Sequence, residues 1–122
     1  MDLKLYAVGD IHGRADLLRG ALKWIKIVAL NEPTQIVFVG DYIDRGPDSR
    51  EMLDNIMAGP DNARNSYTCL QGNHEQLCLD AKRSRRDSDD WISNGGNIAL
   101  KSFGGKIPEK YMKWMGQPRL YY

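Results

Sequence analysis

Three short stretches carry residue types that can hold cations and move protons: Gly9-Asp10-Ile11-His12-Gly13, Gly40-Asp41-Tyr42-Ile43-Asp44-Arg45-Gly46 and Gly72-Asn73-His74-Glu75. In the first, a carboxylate and an imidazole two positions apart can point the same way and hold one divalent ion. The flanking glycines let the backbone turn sharply and leave room for a ligand. Asp41 occupies in the second stretch the place that Asp10 occupies in the first. Its two oxygens can bridge two cations, which an amide or an imidazole cannot do. Arg45 offers a planar fork of donors suited to phosphate oxygens. The third stretch adds an amide oxygen, an imidazole and a carboxylate. Taken singly, each reads better as a turn former or a helix cap. Taken together and in order, they point to a site for metal ions and phosphate.

The elements around these stretches decide whether they can meet. Leu3 to Val8 reads as a strand, and Arg14 to Leu30 as a helix with Leu17, Leu18, Ala21, Leu22, Ile25, Val28 and Ala29 on one buried face. Asn31-Glu32-Pro33 stops it, and Gln35 to Val39 is a second strand. A helix is expected from Asp48, where Asp48 and Glu51 have capping-box spacing, with Met52, Leu53, Ile56 and Met57 inward and Gly59-Pro60 as its end. Tyr67 to Leu70 is a third strand, and His74 to Ala81 a helix. Lys82 to Asp90, four cations followed by three acids, reads as a solvated loop in preference to a phosphate-binding patch. Trp91, Ile92 and an Asn94-Gly95-Gly96 turn follow, then helices over Asn97 to Phe103 and Tyr111 to Met115. Strands alternating with helices imply an α/β chain of parallel βαβ units, whose ligand sites lie beyond the strand C-termini. Each strand is followed by a glycine and a metal-competent side chain.

With 122 residues, the chain has the size of a single domain, residues 1–122. A formal net charge of +1 gives no electrostatic case for nucleic acid or an anionic membrane. The longest apolar run, Trp24 to Leu30, is broken by Lys26 and far too short to span a bilayer. The N-terminus lacks the pattern of a secretion signal, so a cytoplasmic location is expected. Cys69 and Cys78 form no CxxC pair and read as reduced thiols.

The three stretches, with Trp91 and Asn94-Gly95-Gly96, resemble the phosphoprotein phosphatase branch of the calcineurin-like metallophosphoesterases. The likeness is to small bacterial and bacteriophage serine/threonine phosphatases and to symmetrical dinucleoside tetraphosphatases. It implies the N-terminal portion of an α-β-β-α sandwich. It implies also that Asp10 and His12 hold a first metal, that Asp41 bridges to a second, and that Asn73 ligates the second. His74 would then be the general acid, oriented by Asp44, while Arg45 grips phosphate and Glu75 supports its loop. The implied reaction is direct, with water activated between two cations and no phosphoenzyme. The bacterial resemblance favours Mn²⁺, and the mixed oxygen and nitrogen donors suit Fe or Zn²⁺ as well. A phosphorylated protein or small phosphoester is the expected substrate, with dinucleoside tetraphosphate as the alternative.

The family pattern has two further metal-binding histidines in its C-terminal half. This sequence has two histidines in all, His12 and His74. Trp114 to Tyr122 resembles the stretch before the strand that leads to the first of that pair. The resemblance therefore implies a truncated domain with a complete first metal site, an incomplete second one and an exposed, apolar sheet face. Weak stability, self-association and little two-metal turnover are expected. A homo-oligomer, a complementing C-terminal chain or an inactive metal-binding remnant would each fit.

Overall fold

The computed structural model describes residues 3–117, so Pro118 to Tyr122, the end of the Trp114–Tyr122 segment, lie outside the described residues. The chain runs β1 (Lys4–Val8), α1 (Ala15–Ala29), β2 (Thr34–Phe38), α2 (Ser49–Ala58), β3 (Asn65–Cys69), α3 (Asn73–Asp80), α4 (Arg85–Trp91), α5 (Asn97–Ser102) and α6 (Glu109–Met115). The strands form one parallel sheet in the order β1-β2-β3. Val8 pairs with Phe38, and Phe38 with Cys69, so the strands end level and all three loops leave the same edge of the sheet.

One sheet face carries Tyr6, Val8, Ile36, Phe38, Tyr67 and Cys69 and packs into the core. Leu18, Ile25 and Ala29 of α1 and Met52, Leu53 and Ile56 of α2 are buried with them. The α1 helix ends where Leu30 and Asn31 turn left-handed, at φ 51° and 63°, just before Pro33. Beyond α3, the residues Trp91, Ala99, Phe103, Tyr111, Met112 and Met115 extend the core around Cys78. Tyr111 donates a hydrogen bond to Asp54 Oδ1 at 2.5 Å and so ties α6 to α2.

Several expectations need correction. Leu17 and Val28 are exposed, not buried, and with Trp24 they line a second apolar stripe on α1; Ile27 and Leu30 are exposed as well. That stripe neighbours β1, where Leu5 is 65% exposed and the Trp24 ring stands edge-on to Tyr6. The open sheet face is only half apolar. Gln35, Ser66 and Thr68 share it with Leu5, Ala7 and Val37, and Gln35 donates to Thr68 Oγ1 at 2.8 Å.

Asp48 is the N-cap of α2, yet its side chain makes no capping bond; its N–H donates to Gly13 O at 2.7 Å and Glu51 pairs with Arg19, so no capping box closes. The Lys82–Asp90 run is largely helical. Ser84 accepts from the Asp87 N–H at 3.0 Å and starts α4, and the buried Trp91 anchors its end. From there the chain reaches α5 through a wide π turn over Ile92–Gly96, in which Gly95 takes φ 102°.

Candidate active site

The first two loops are laced together through their backbones. The His12 N–H donates to Asp41 O at 3.0 Å, the Gly13 N–H to Tyr42 O at 2.8 Å and the Gly46 N–H to His12 O at 2.9 Å. The third loop is locked to the second by Glu75, which is almost fully buried. One of its oxygens accepts from the Asp41 and Gly72 N–H groups at 2.6 and 3.0 Å, and the other from Tyr42 and Ile43 at 3.0 and 3.4 Å. Burial pushes its carboxyl up to about 7 against the pull of the backbone N–H donors, which favour the charged form. Loops two and three also touch backbone to backbone. A Cβ on Gly40 would lie 2.3 Å from Gly72 N, at a φ of 101°. His12, Asp41, Asp44 and Arg45 all have positive φ, so local strain is concentrated here.

This lacing brings Asp10, His12 and Asp41 together, each offering one donor atom within 4.8 Å of the others. The set fits a divalent cation on its own chemistry. His12 Nδ1 faces Ile43 O at 3.1 Å, which places the ring proton there and leaves Nε2 as the donor atom, 3.9 Å from Asp10 Oδ2. Asp41 Oδ1 accepts the His74 N–H at 2.8 Å, and its other oxygen remains for a metal. Asn73 lines a cavity of about 500 Å³ together with Asp10 and Asp41. Gln71 and Gln76 line it too, and the spacing of the motifs did not single them out.

Beside the cluster stands a buried dyad. His74 Nδ1 lies 2.8 Å from Oδ2 of Asp44, whose side chain is wholly buried. Burial raises the Asp44 carboxyl above its ordinary range, while hydrogen bonds from His74 and Trp91 oppose that rise. The rings of His12 and His74 meet edge to face with centroids 4.6 Å apart. Arg45 is exposed, and among the described residues its guanidinium has no recorded hydrogen bond or ion pair. Its backbone N–H donates to Gly95 O at 3.3 Å. Sequence reasoning noticed Trp91 and Gly95 only as part of a segment. Their places against Asp44 and Arg45 depend on a fold across some fifty positions, which no local pattern reports.

Carboxylate and imidazole donors thus gather at one end of a parallel sheet, with a second imidazole held against them, a donor set suited to a divalent cation. The chain belongs to the calcineurin-like phosphoesterase family, whose model matches residues 3–117. It is 41% identical over 96 residues to the serine/threonine-protein phosphatase 1 of Salmonella typhimurium, covering 76% of this chain and 39% of that protein. It is 34% identical over 91 residues to a symmetrical bis(5'-nucleosyl)-tetraphosphatase of Delftia acidovorans, covering 70% of this chain and 30% of that one. A cold-active protein tyrosine phosphatase of known structure aligns with a TM-score of 0.54 at 26% identity, over 93% of this chain and 34% of its own. The chain thus spans well under half the length of the relatives it matches.

Proposed function

We propose that this chain carries the metal loops of a phosphomonoesterase of the serine/threonine-protein phosphatase kind. Asp10, His12 and Asp41 hold a first divalent cation, Asp41 and Asn73 share a second, and His74 is the general acid. One juxtaposition carries the reading: His74, backed by Asp44 at 2.8 Å, stands with its ring 4.6 Å from that of His12. A proton donor therefore lies beside the metal ligands. When bound, the cations supply Lewis acidity and lower the pKa of water toward neutrality.

The chain's own groups do the rest. Arg45 presents its fork of donors to the equatorial phosphate oxygens. His74 gives the proton on Nε2 to the departing oxygen, a contribution of about 10²–10⁴ in rate. Asp44 accepts from Nδ1 and keeps the ring in place. Mn²⁺ is the proposed cation, and the donor set also suits Fe or Zn²⁺.

The 41% identity to the Salmonella protein favours a phosphorylated protein as substrate. A dinucleoside tetraphosphate is the second reading, supported by the Delftia relative. The exposed stripe of Leu17, Trp24 and Val28 beside β1 supports self-association or a complementing chain as partner. Neither Cys69 nor Cys78 is in a disulfide, in keeping with the cytoplasm.

Calorimetric titration with Mn²⁺, run beside hydrolysis of phenyl phosphate, whose leaving group needs a proton, tests the proposal. One tight equivalent abolished by Asp10→Ala is expected, with slow turnover lost in His74→Asn. Failure to bind Mn²⁺, or binding indifferent to Asp10→Ala, would overturn it.

A further inference from the structure

Trp91 is a core residue whose indole N–H is spent entirely on one buried group. It lies 3.0 Å from Asp44 Oδ1 and 2.9 Å from Oδ2, straddling the carboxylate whose Oδ2 also meets His74 Nδ1 at 2.8 Å. A carboxylate held at one oxygen can swing about its Cβ–Cγ bond. A donor shared between both oxygens fixes its plane, and with it the direction in which His74 is held. The Asp44 backbone is pinned as well, by its N–H donating to Ser49 Oγ at 3.0 Å.

The turn after Trp91 is shaped around the same groups. A Cβ on Gly96 would meet Cδ2 and Cε2 of the Trp91 ring at 2.5 Å, so only glycine lets the indole lie flat against the chain there. A Cβ on Gly95 would meet Arg45 N and Cγ at 2.8 Å, and Gly95 O accepts the Arg45 N–H. One segment thus backs both the proposed proton donor and the proposed phosphate-binding arginine.

We propose that Trp91 is a positioning residue for the general acid: its N–H sets the plane of Asp44, which aims the Nε2 of His74 at the departing oxygen. This rests on His74 being the general acid, as argued above. Trp91 touches neither substrate nor metal and acts only through Asp44.

The test deletes the N–H and keeps an aromatic ring. In Trp91→Phe with Mn²⁺ present, kcat on phenyl phosphate, whose leaving group needs a proton, should fall about 10–100-fold. On p-nitrophenyl phosphate, whose leaving group does not, it should fall no more than about 3-fold, with KM unchanged on both. A general loosening of the core would slow both esters alike, and that result overturns the proposal. Nitrogen-15 NMR of the metal-free protein gives a reading that needs no turnover. The Nδ1 proton of His74 should be slow to exchange in the parent and broadened by exchange in the variant, and an unchanged resonance refutes the idea. If Trp91→Phe does not fold, benzothienylalanine at position 91 removes the N–H at constant shape and is read in the same two ways. Loss of the Nδ1 signal in a chain that hydrolyses neither ester would uphold the positioning by Trp91 and refute the phosphomonoesterase reading.

Discussion

Gly40→Ala tests how the site is held together. The new methyl would sit 2.3 Å from Gly72 N, 2.5 Å from Gly72 Cα and 2.9 Å from Gln71 C, all backbone atoms that cannot rotate aside. Holding a non-glycine residue at φ 101° adds a conformational cost of about 1–3 kcal/mol. Overpacking adds about 1–3 kcal/mol, toward the upper end because backbone must move. The sum, about 3–6 kcal/mol, is a large share of the roughly 6–18 kcal/mol that stabilises a chain of this length. Gly59→Ala is the internal control. It also has positive φ, at 77°, but nothing lies within 4 Å of its Cβ, so only the conformational cost applies. Urea unfolding of both variants should show Gly40→Ala losing about 2 kcal/mol more than Gly59→Ala, a difference set by the overpacking alone. Relief of the contact pushes the loop bearing Asp41 away from the one bearing Asn73, so Mn²⁺ affinity should fall about 10–100-fold in Gly40→Ala alone. Equal destabilisation of the two variants, with Mn²⁺ binding intact in both, would refute the claim that this backbone contact sets the geometry of the site.

Other substitutions probe other parts of the argument. Arg45→Lys keeps the charge but loses the planar fork, so kcat/KM for aryl phosphates should drop about 10-fold or more while Mn²⁺ binding is unchanged, as steady-state kinetics and calorimetry will show. Leu5→Lys combined with Trp24→Glu breaks the exposed apolar flank of β1 and α1, and sedimentation velocity should show less self-association than in the parent. Burial pushes the Cys78 thiol up to about 12, so iodoacetamide at pH 8 should leave Cys78 unmodified until the protein is unfolded in urea, as read by mass spectrometry. Because that pKa is raised above the ordinary 9.0, the stability tied to the protonated thiol is whole below pH 9 and lost as pH climbs toward 12.

Much of the site was legible before any coordinates. The βαβ alternation and the glycine after each strand predict where the loops lie, and Asp10, His12 and Asp41 do converge. Those inferences are local: a strand end, a turn former and a short spacing suffice. What escaped was set by distance in the sequence. The helix over Arg85–Trp91 was hidden by its charges, since its one buried anchor, Trp91, makes sense only against Asp44, forty-seven positions earlier. The buried face of α1 was drawn too wide because periodicity counts apolar residues without knowing how many the core can reach. Leu17 and Val28 fit the spacing and still face outward. The expected capping box at Asp48 failed for a similar reason, because tertiary partners, Gly13 O for the Asp48 N–H and Arg19 for the Glu51 carboxylate, took its groups.

The level ends of the three parallel strands have a kinetic consequence. Lys4 pairs with Thr34, and Thr34 with Asn65, so each pairing closes a loop of some thirty residues through a helix. Such contacts are slow to form, because the entropy of closure must be lost before any pairing offsets it. Asp10 and Asp41 face one another only after β1 and β2 are joined over α1. A cation therefore finds its ligands late, on the native side of the folding barrier. Bound metal should slow unfolding and leave the folding rate nearly untouched, making the cation a latch on a finished structure and not a nucleus for its assembly.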